Sequence, residues 1–304
     1  MSEEDFSLIG DRYLVLRKVG NGKLSEVFEV MDLEKQEILA GKRYNVDTYL
    51  GLSEKFKETV LTEIHILRRI EHPHVLRCYD IVFTEKEFYL MLTFCGHGSL
   101  QSLLMESEEK TMSESGAIDF LRQLIQGYHA LFELGVVHGD IKTENIFMKS
   151  GSHLLLGDLN TSKSNLRAAS VVGTELYTPP FKRMGSVQNY LHDIWAIGVV
   201  YFEMLFGVDE WYNNFVGRTF GENLVYPRSK KLTTQSKFLL QRILVSDPSR
   251  QLGARQLFGE IKFVRDPISL MFSLEFSGKL AKEFKEFQIK IGILVIFFEL
   301  SFEK

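Results

Sequence analysis

Four polar side chains set the tightest constraint on this chain. Asp140, Lys142 and Asn145 fall within the six residues from 140 to 145 of "HGDIKTENIF", and Asp158 follows in "GDLN", thirteen residues after Asn145. The apolar runs "NIFMK" and "HLLLGD" around them read as two short strands. A fold that presents this quartet must bring an acid, a cation and hard oxygen ligands onto one loop system. Asp140 could accept a hydroxyl proton and Lys142 could neutralise a transferred phosphoryl group. Asn145 and Asp158 could hold Mg²⁺, a hard ion that prefers oxygen. Taken alone, the cluster could also be a polar turn.

The rest of the chain divides by hydrophobic period. "YLVLRKV" (13–19) and "SEVFEVMD" (25–32) flank a glycine turn and read as a hairpin, with "KQEILAGKRY" (35–44) as a third strand. In "SEKFKETVLTEIHILRRI" (53–70), Phe56, Val60, Ile64, Leu67 and Ile70 follow three-to-four spacing and predict an amphipathic helix with Ser53 as N-cap. "VLRCYDIVF" and "EFYLMLTF" return to strand character. Beyond Gly98 the pattern is mainly helical. Ile118, Leu121, Leu124, Tyr128 and Leu131 share one face, with a stop at Gly135. "DIWAIGVVYFEMLFG" (193–207) is apolar nearly all round, as a central buried helix would be. "TTQSKFLLQRIL" (233–244) is a further helix.

Two weaker signals accompany the quartet. "GNGKLSEV" (20–27) places Gly20 and Gly22 in a turn tight enough for backbone N–H groups to approach phosphate, and Ser25 stands where a third glycine would complete the usual pattern. A plain hairpin turn explains it equally well. A dinucleotide fingerprint would need a helix after the glycines, and "SEVFEVMD" reads as strand. Lys42 ends "LAGK", and Glu63 lies beside the apolar stripe of the next helix. A helix carboxylate could hold that lysine toward phosphate oxygens, or the two could be ordinary surface charges.

In order, "GNGKLSEV", "LAGK", Glu63 in "LTEIHIL", "HGDIKTEN", "DLN", "GTELYTPPF" (173–181), "DIWAIG" (193–198) and "DPSRQ" (247–251) resemble eight motifs of the eukaryotic protein kinase superfamily. Lys142 after the aspartate and Thr174 before Tyr177 resemble its serine/threonine branch. The resemblance implies a two-lobed α+β protein kinase fold over residues 13–260. It has a small antiparallel-sheet lobe with one helix (13–92), a hinge (93–98) and a larger, mainly helical lobe (99–260). It implies transfer of the ATP γ-phosphoryl group, with Mg²⁺, to a protein substrate carrying Ser/Thr. Lys42, Glu63, Asp140 and Lys142 are then the catalytic set, and Asn145 and Asp158 the metal ligands. Gly20 and Gly22 would cover the phosphates. Val27, Ala40 and Phe147 would sandwich adenine, with Leu92 behind it and backbone groups of Thr93 and Cys95 along its edge. Core packing explains the apolar members of that set equally well. A nucleotide-binding pseudokinase acting as a scaffold is the alternative.

The chain departs from the family at supporting positions. Gly139 replaces an arginine that, in many members, binds a phosphate on the activation segment. Phosphate on Ser164, Ser170 or Thr174 would then lack its usual partner, and activity is expected without it. Asn160 replaces a glycine that eases backbone flipping. Leu159 replaces phenylalanine and can still pack with Leu67 and His138. Phe181 replaces a glutamate that would pair with Arg250, so Arg250 is expected to reach another acceptor or solvent. "HGDIKTEN" is also similar to the catalytic loop of the regulatory kinase subunit of class III phosphoinositide 3-kinase complexes, so Gly139 is compatible with a scaffold too.

Composition excludes other classes. The net charge is −4 with both signs interspersed, which argues against nucleic-acid or anionic-membrane binding. The longest apolar stretch, "ILVIFF" (293–298), is far short of the ~20 residues a membrane span needs, so no transmembrane segment is expected. Cys78 and Cys95 form no cluster, which suits a reduced cytoplasmic compartment, with the nucleus as the other option. In the tail (262–304), Leu280, Phe284, Phe287, Ile291, Leu294 and Phe298 lie on one helical face interrupted by Gly292. That face could pack on the large lobe or dock a partner.

Overall fold

The computed structural model describes residues 7–22, 25–159, 175–181, 190–215, 226–227 and 230–260. The tail face and Asn160, Ser164, Ser170 and Thr174 lie outside the described residues, as does the side chain of Phe56.

The first lobe is a six-stranded antiparallel sheet in the order β1-β2-β3-β4-β6-β5. Its strands are β1 (Leu8–Ile9), β2 (Tyr13–Asn21), β3 (Glu26–Asp32), β4 (Glu37–Asn45), β5 (Cys78–Phe83) and β6 (Glu87–Thr93). Between β4 and β5 come a short α1 (Val46–Leu50) and the long α2 (Glu54–Arg69). The expected α2 stripe is buried: Val60, Ile64, Leu67 and Ile70 are each at most 3% exposed. Ser53 stands at the N-cap, but its side chain makes no capping hydrogen bond.

Antiparallel register puts directly opposed residues on the same face. Gly20 faces Val27, Val27 faces Lys42, and Lys42 faces Leu90; two residues back along β4, Ala40 faces Leu92. Val27, Ala40, Lys42 and Leu92 therefore share one side of the sheet. The other side closes its own small core with Ile9, Tyr13, Val30, Leu39, Tyr89 and Met91. That division leaves the Lys42 side for α2 and for whatever the cleft holds.

The second lobe is mainly helical. It contains α3 (Leu100–Glu106), α4 (Glu114–Glu133), the β7–β8 hairpin (Ile146–Ser150 and His153–Leu156), α5 (Tyr190–Phe206), α6 (Val208–Phe215), α7 (Thr234–Ile243) and α8 (Ala254–Glu260). In α4, Leu121, Leu124, Tyr128 and Leu131 are buried and Ile118 is half-buried. Every residue of α5 from His192 to Phe206 is buried, as its all-round apolar sequence requires. Full burial of each large apolar side chain there is worth about 1.5–3 kcal/mol, which makes α5 the mechanical floor of the lobe. The chain is thus a two-lobed α+β fold, with the sheet lobe ending at Thr93 and the helical lobe opening at α3.

Candidate active site

On the sheet lobe, the ammonium of Lys42 donates to Glu63 Oε1 at 2.7 Å, and Tyr44 OH donates to Glu63 Oε2 at 3.0 Å. Lys42 is 9% exposed and Glu63 only 2%. The reading of these two as surface charges is therefore overturned. Burial alone would lower the Lys42 pKa, but Glu63, Tyr44 and Asp158 outweigh it and the net shift is upward. Lys42 is a fixed cation. Tyr44 was not marked by sequence; its only signal is its place two residues beyond Lys42, on the same face of β4.

On the helical lobe, Asp140 is a node. Its Oδ2 accepts from Lys142 Nζ at 2.7 Å and from Asn145 Nδ2 at 3.0 Å, and its carbonyl accepts from the same Nδ2 at 2.8 Å. With Nδ2 committed to Asp140, Oδ1 is the atom with which Asn145 can bind a cation. A 3-10 turn at Thr143–Asn145 leads directly into β7. Asp158 follows β8 and has φ +55, one of the few non-glycine residues in the left-handed region. Leu159 beside it is fully buried and shares a core cluster with Leu67. Among the described residues no group of three or more His, Cys, Asp or Glu side chains could hold a metal by itself. The donor set of one amide oxygen and one carboxylate suits a hard cation whose remaining ligands are water and phosphate oxygens.

The loop is hung from α5. Asp193 accepts from the N–H groups of His138 and Gly139, each at 2.8 Å. Burial pushes its carboxyl up to about 7, although these two donors and Tyr128 pull the other way. The buried His138 ring donates from Nε2 to Gly157 O (3.0 Å) and accepts at Nδ1 from Asp140 N (3.3 Å). Burial lowers its pKa, which keeps the ring neutral. The functional weight of Asp193 was not legible, because its partners lie more than fifty positions away in sequence.

Gly139 has φ +83, a conformation glycine adopts freely. The departure at this position is thus a backbone fit as well as a missing cation. Gly139→Arg should lower turnover about threefold to tenfold and lower the melting temperature, since a side chain at that φ costs about 1–2 kcal/mol. Higher turnover at unchanged melting temperature would show that the lost cation, not the backbone, governs this position.

The nucleotide-side positions are placed as follows. Gly22 N–H donates to Ser25 O at 2.7 Å and closes the turn after β2. Thr93 N–H already donates to Arg77 O at 3.0 Å, so it is no donor to a base. The half-buried Cys95 follows β6, and burial pushes its thiol up to about 12, so it is no nucleophile. Phe147 on β7 lies against Gly157, where a Cβ would come within 2.9 Å of its ring. Only glycine lets Phe147 keep that place.

Phe181 is 4% exposed and packs with its ring tilted against His192 (5.4 Å) and edge-on to Trp195 (6.4 Å). Trp211 Nε1 donates to Leu176 O at 2.9 Å. Arg250 is exposed, as expected for a cation without that carboxylate. Aromatic packing on α5 has replaced the ion pair. Phe181→Glu should therefore cost about 2 kcal/mol of stability, because it buries a charge among rings. Thermal denaturation checks this; an unchanged or raised melting temperature would mean that Arg250 swings in to pair with the new acid.

A protein kinase domain model matches residues 13–261. The chain is 28% identical over 197 residues to serine/threonine-protein kinase Nek9 of Mus musculus, covering 64% of this chain and 20% of that protein. It is 27% identical over 255 residues to cell cycle serine/threonine-protein kinase CDC5/MSD2 of Saccharomyces cerevisiae (81% and 36%). It is 28% identical over 263 residues to serine/threonine-protein kinase ULK3 of Mus musculus (82% and 54%). The chain thus spans from a fifth to about half the length of these relatives.

Proposed function

The chain belongs to the protein kinase family, and from that membership we propose that it transfers the γ-phosphoryl group of ATP to serine or threonine hydroxyls of a protein substrate. One observation carries the reading: all six catalytic and metal-binding side chains are present, and five already make the contacts the chemistry needs. Lys42 is paired with Glu63, and Asp140 is bonded by Lys142 and Asn145.

In this reading, residues 13–260 form the catalytic domain and 93–98 its hinge. Val27, Ala40 and Phe147 enclose the base, with Leu92 behind it. Gly20 and Gly22 cover the phosphates, and Lys42, steadied by Glu63, orients the α and β groups. Asp140 aligns the acceptor hydroxyl and takes its proton, while Lys142 offsets charge on the group in flight. Asn145 and Asp158 hold Mg²⁺, which when bound neutralises phosphate charge. Positioning and electrostatics supply most of the rate in such a site. No helix among the described residues is long and apolar enough to cross a membrane.

The test is transfer of radiolabelled γ-phosphate from Mg·ATP to a peptide array, followed by phosphoamino-acid analysis. Labelled phosphoserine or phosphothreonine is expected. Nucleotide binding without transfer to any acceptor, or to the chain itself, would instead assign it a scaffold role.

A further inference from the structure

Thr143 lies between Lys142 and Asn145, and nothing in the transfer chemistry calls on it. It is nonetheless 3% exposed, so its hydroxyl must find partners inside the protein. Besides a 3.3 Å contact to the carboxylate of its neighbour Glu144, those partners come from two other parts of the chain. Thr143 Oγ1 lies 3.1 Å from Tyr177 OH and 3.4 Å from Glu203 Oε2, and Tyr177 OH donates to the same Glu203 oxygen at 2.7 Å. The sequence separations are 34, 60 and 26 residues. A buried polar knot thus ties the loop of Asp140 to the 3-10 turn Glu175–Tyr177 and to α5.

We propose that Thr143 is a positioning residue, whose buried hydroxyl locks Asp140, Lys142 and Asn145 in register against Tyr177 and Glu203. The proposal rests on the phosphotransfer reading above. The local geometry favours it. Residues 143–145 form a single 3-10 turn, and Asn145 N donates back to Lys142 O at 3.0 Å. In so short a turn, residue 143 faces inward while Lys142 before it and Asn145 two residues after it reach Asp140. Fixing the hydroxyl of Thr143 therefore fixes where Lys142 and Asn145 project. The Asp193 bonds hold the start of the loop, at His138 and Gly139. The Thr143 knot is a second, independent anchor at its far end.

The knot has little slack. Burial pushes Glu203 up to about 8, which favours the uncharged acid in its contact with Tyr177. Among the described residues its other oxygen, Oε1, is buried with no hydrogen-bond partner. A hydroxyl removed from Thr143 cannot be replaced by water unless the core opens, and a partner left unsatisfied there weakens the whole set. Valine has nearly the shape of threonine and lacks only the hydroxyl.

The experiment compares Thr143→Val, Thr143→Ser and Tyr177→Phe with the parent in the full 304-residue chain. Three readouts are taken: kcat and KM for ATP, binding of a fluorescent ATP analogue, and amide hydrogen exchange over residues 138–150. Thr143→Val should lower kcat about tenfold, because losing one buried hydrogen bond loosens the placement of Asp140, Lys142 and Asn145, and leave nucleotide affinity within about twofold, since Lys42 and Glu63 sit on the other lobe. Exchange across the loop should speed up by about tenfold. Thr143→Ser should recover both readouts, which a mere packing role would not predict. Unchanged kcat and unchanged exchange in Thr143→Val would overturn the proposal. If the parent binds nucleotide but transfers nothing, the transfer reading fails, and the exchange comparison alone decides the positioning role. If Thr143→Val does not fold, Tyr177→Phe removes the second hydroxyl and is judged by the same kcat and exchange criteria.

Discussion

Asp140→Asn should lower phosphoryl transfer by about a thousandfold, within the range expected for loss of a positioned general base. The reason is local. Asp140 Oδ2 takes two hydrogen bonds, from Lys142 and Asn145, and its backbone N–H is held by His138. An asparagine there keeps the size, and its amide oxygen can still accept from Lys142. It can no longer carry a full negative charge or take a proton from an acceptor hydroxyl. The scaffold should survive, because the loop hangs from Asp193 and Thr143 and not from the Asp140 carboxylate. Melting temperature and nucleotide affinity should stay close to the parent's. Turnover, melting temperature and binding of an ATP analogue, measured on one preparation, check all three parts. Residual transfer within tenfold of the parent would remove Asp140 from its role.

The same contacts explain what sequence could and could not reveal. The Lys42–Glu63 pair came from the family resemblance; the three-to-four repeat of α2 put Glu63 beside Val60 and Ile64 but left the two open to a reading as surface charges. The burial of α5 was visible because a helix without a polar face has nowhere else to go. Strands β2 to β6 announced themselves by alternation and turns. Strand β1, with two residues, and helix α1, with five, are too short for any period to register. They exist because Leu8 and Ile9 pair with β2 and because Asn45 caps the first turn after β4. The supporting polar groups were hidden for a different reason. Asp193, Tyr177 and Glu203 meet the catalytic loop only through tertiary structure; "DIWAIG" and "GTELYTPPF" marked the first two as motif residues but not which groups they bond, and Glu203 lay in an apolar helix with no mark at all. Phe181 carried a half-signal. Its apolar character foretold the loss of an ion pair, but not that His192 and Trp195 would receive its ring. The φ of Gly139 was equally out of reach, since a glycine in a motif reads first as a missing side chain.

Asp158→Asn should abolish divalent-dependent transfer, with a loss of about a hundredfold to a thousandfold, the scale seen when one preorganised charge contact is removed. Asp158 holds φ +55, and asparagine is among the few residues that tolerate that region, so the backbone should not move. Leu159 next to it is fully buried and keeps its anchor in the core. What changes is charge. The hard-cation site is left with two neutral amide oxygens, from Asn145 and the new asparagine, where it had one amide and one carboxylate. Lys42 also loses one of the negative charges that raise its pKa, but Glu63 still holds it, so it remains a cation at neutral pH. The defect should therefore appear in the dependence on Mg²⁺ concentration and not in the melting temperature of the nucleotide-free protein. Titrating Mg²⁺ at saturating ATP separates the two. Partial recovery at high Mg²⁺ would mark a weakened metal site, and no recovery an essential charge at the phosphates. Unchanged turnover at every Mg²⁺ concentration would take Asp158 out of the metal site and leave Asn145 without its partner.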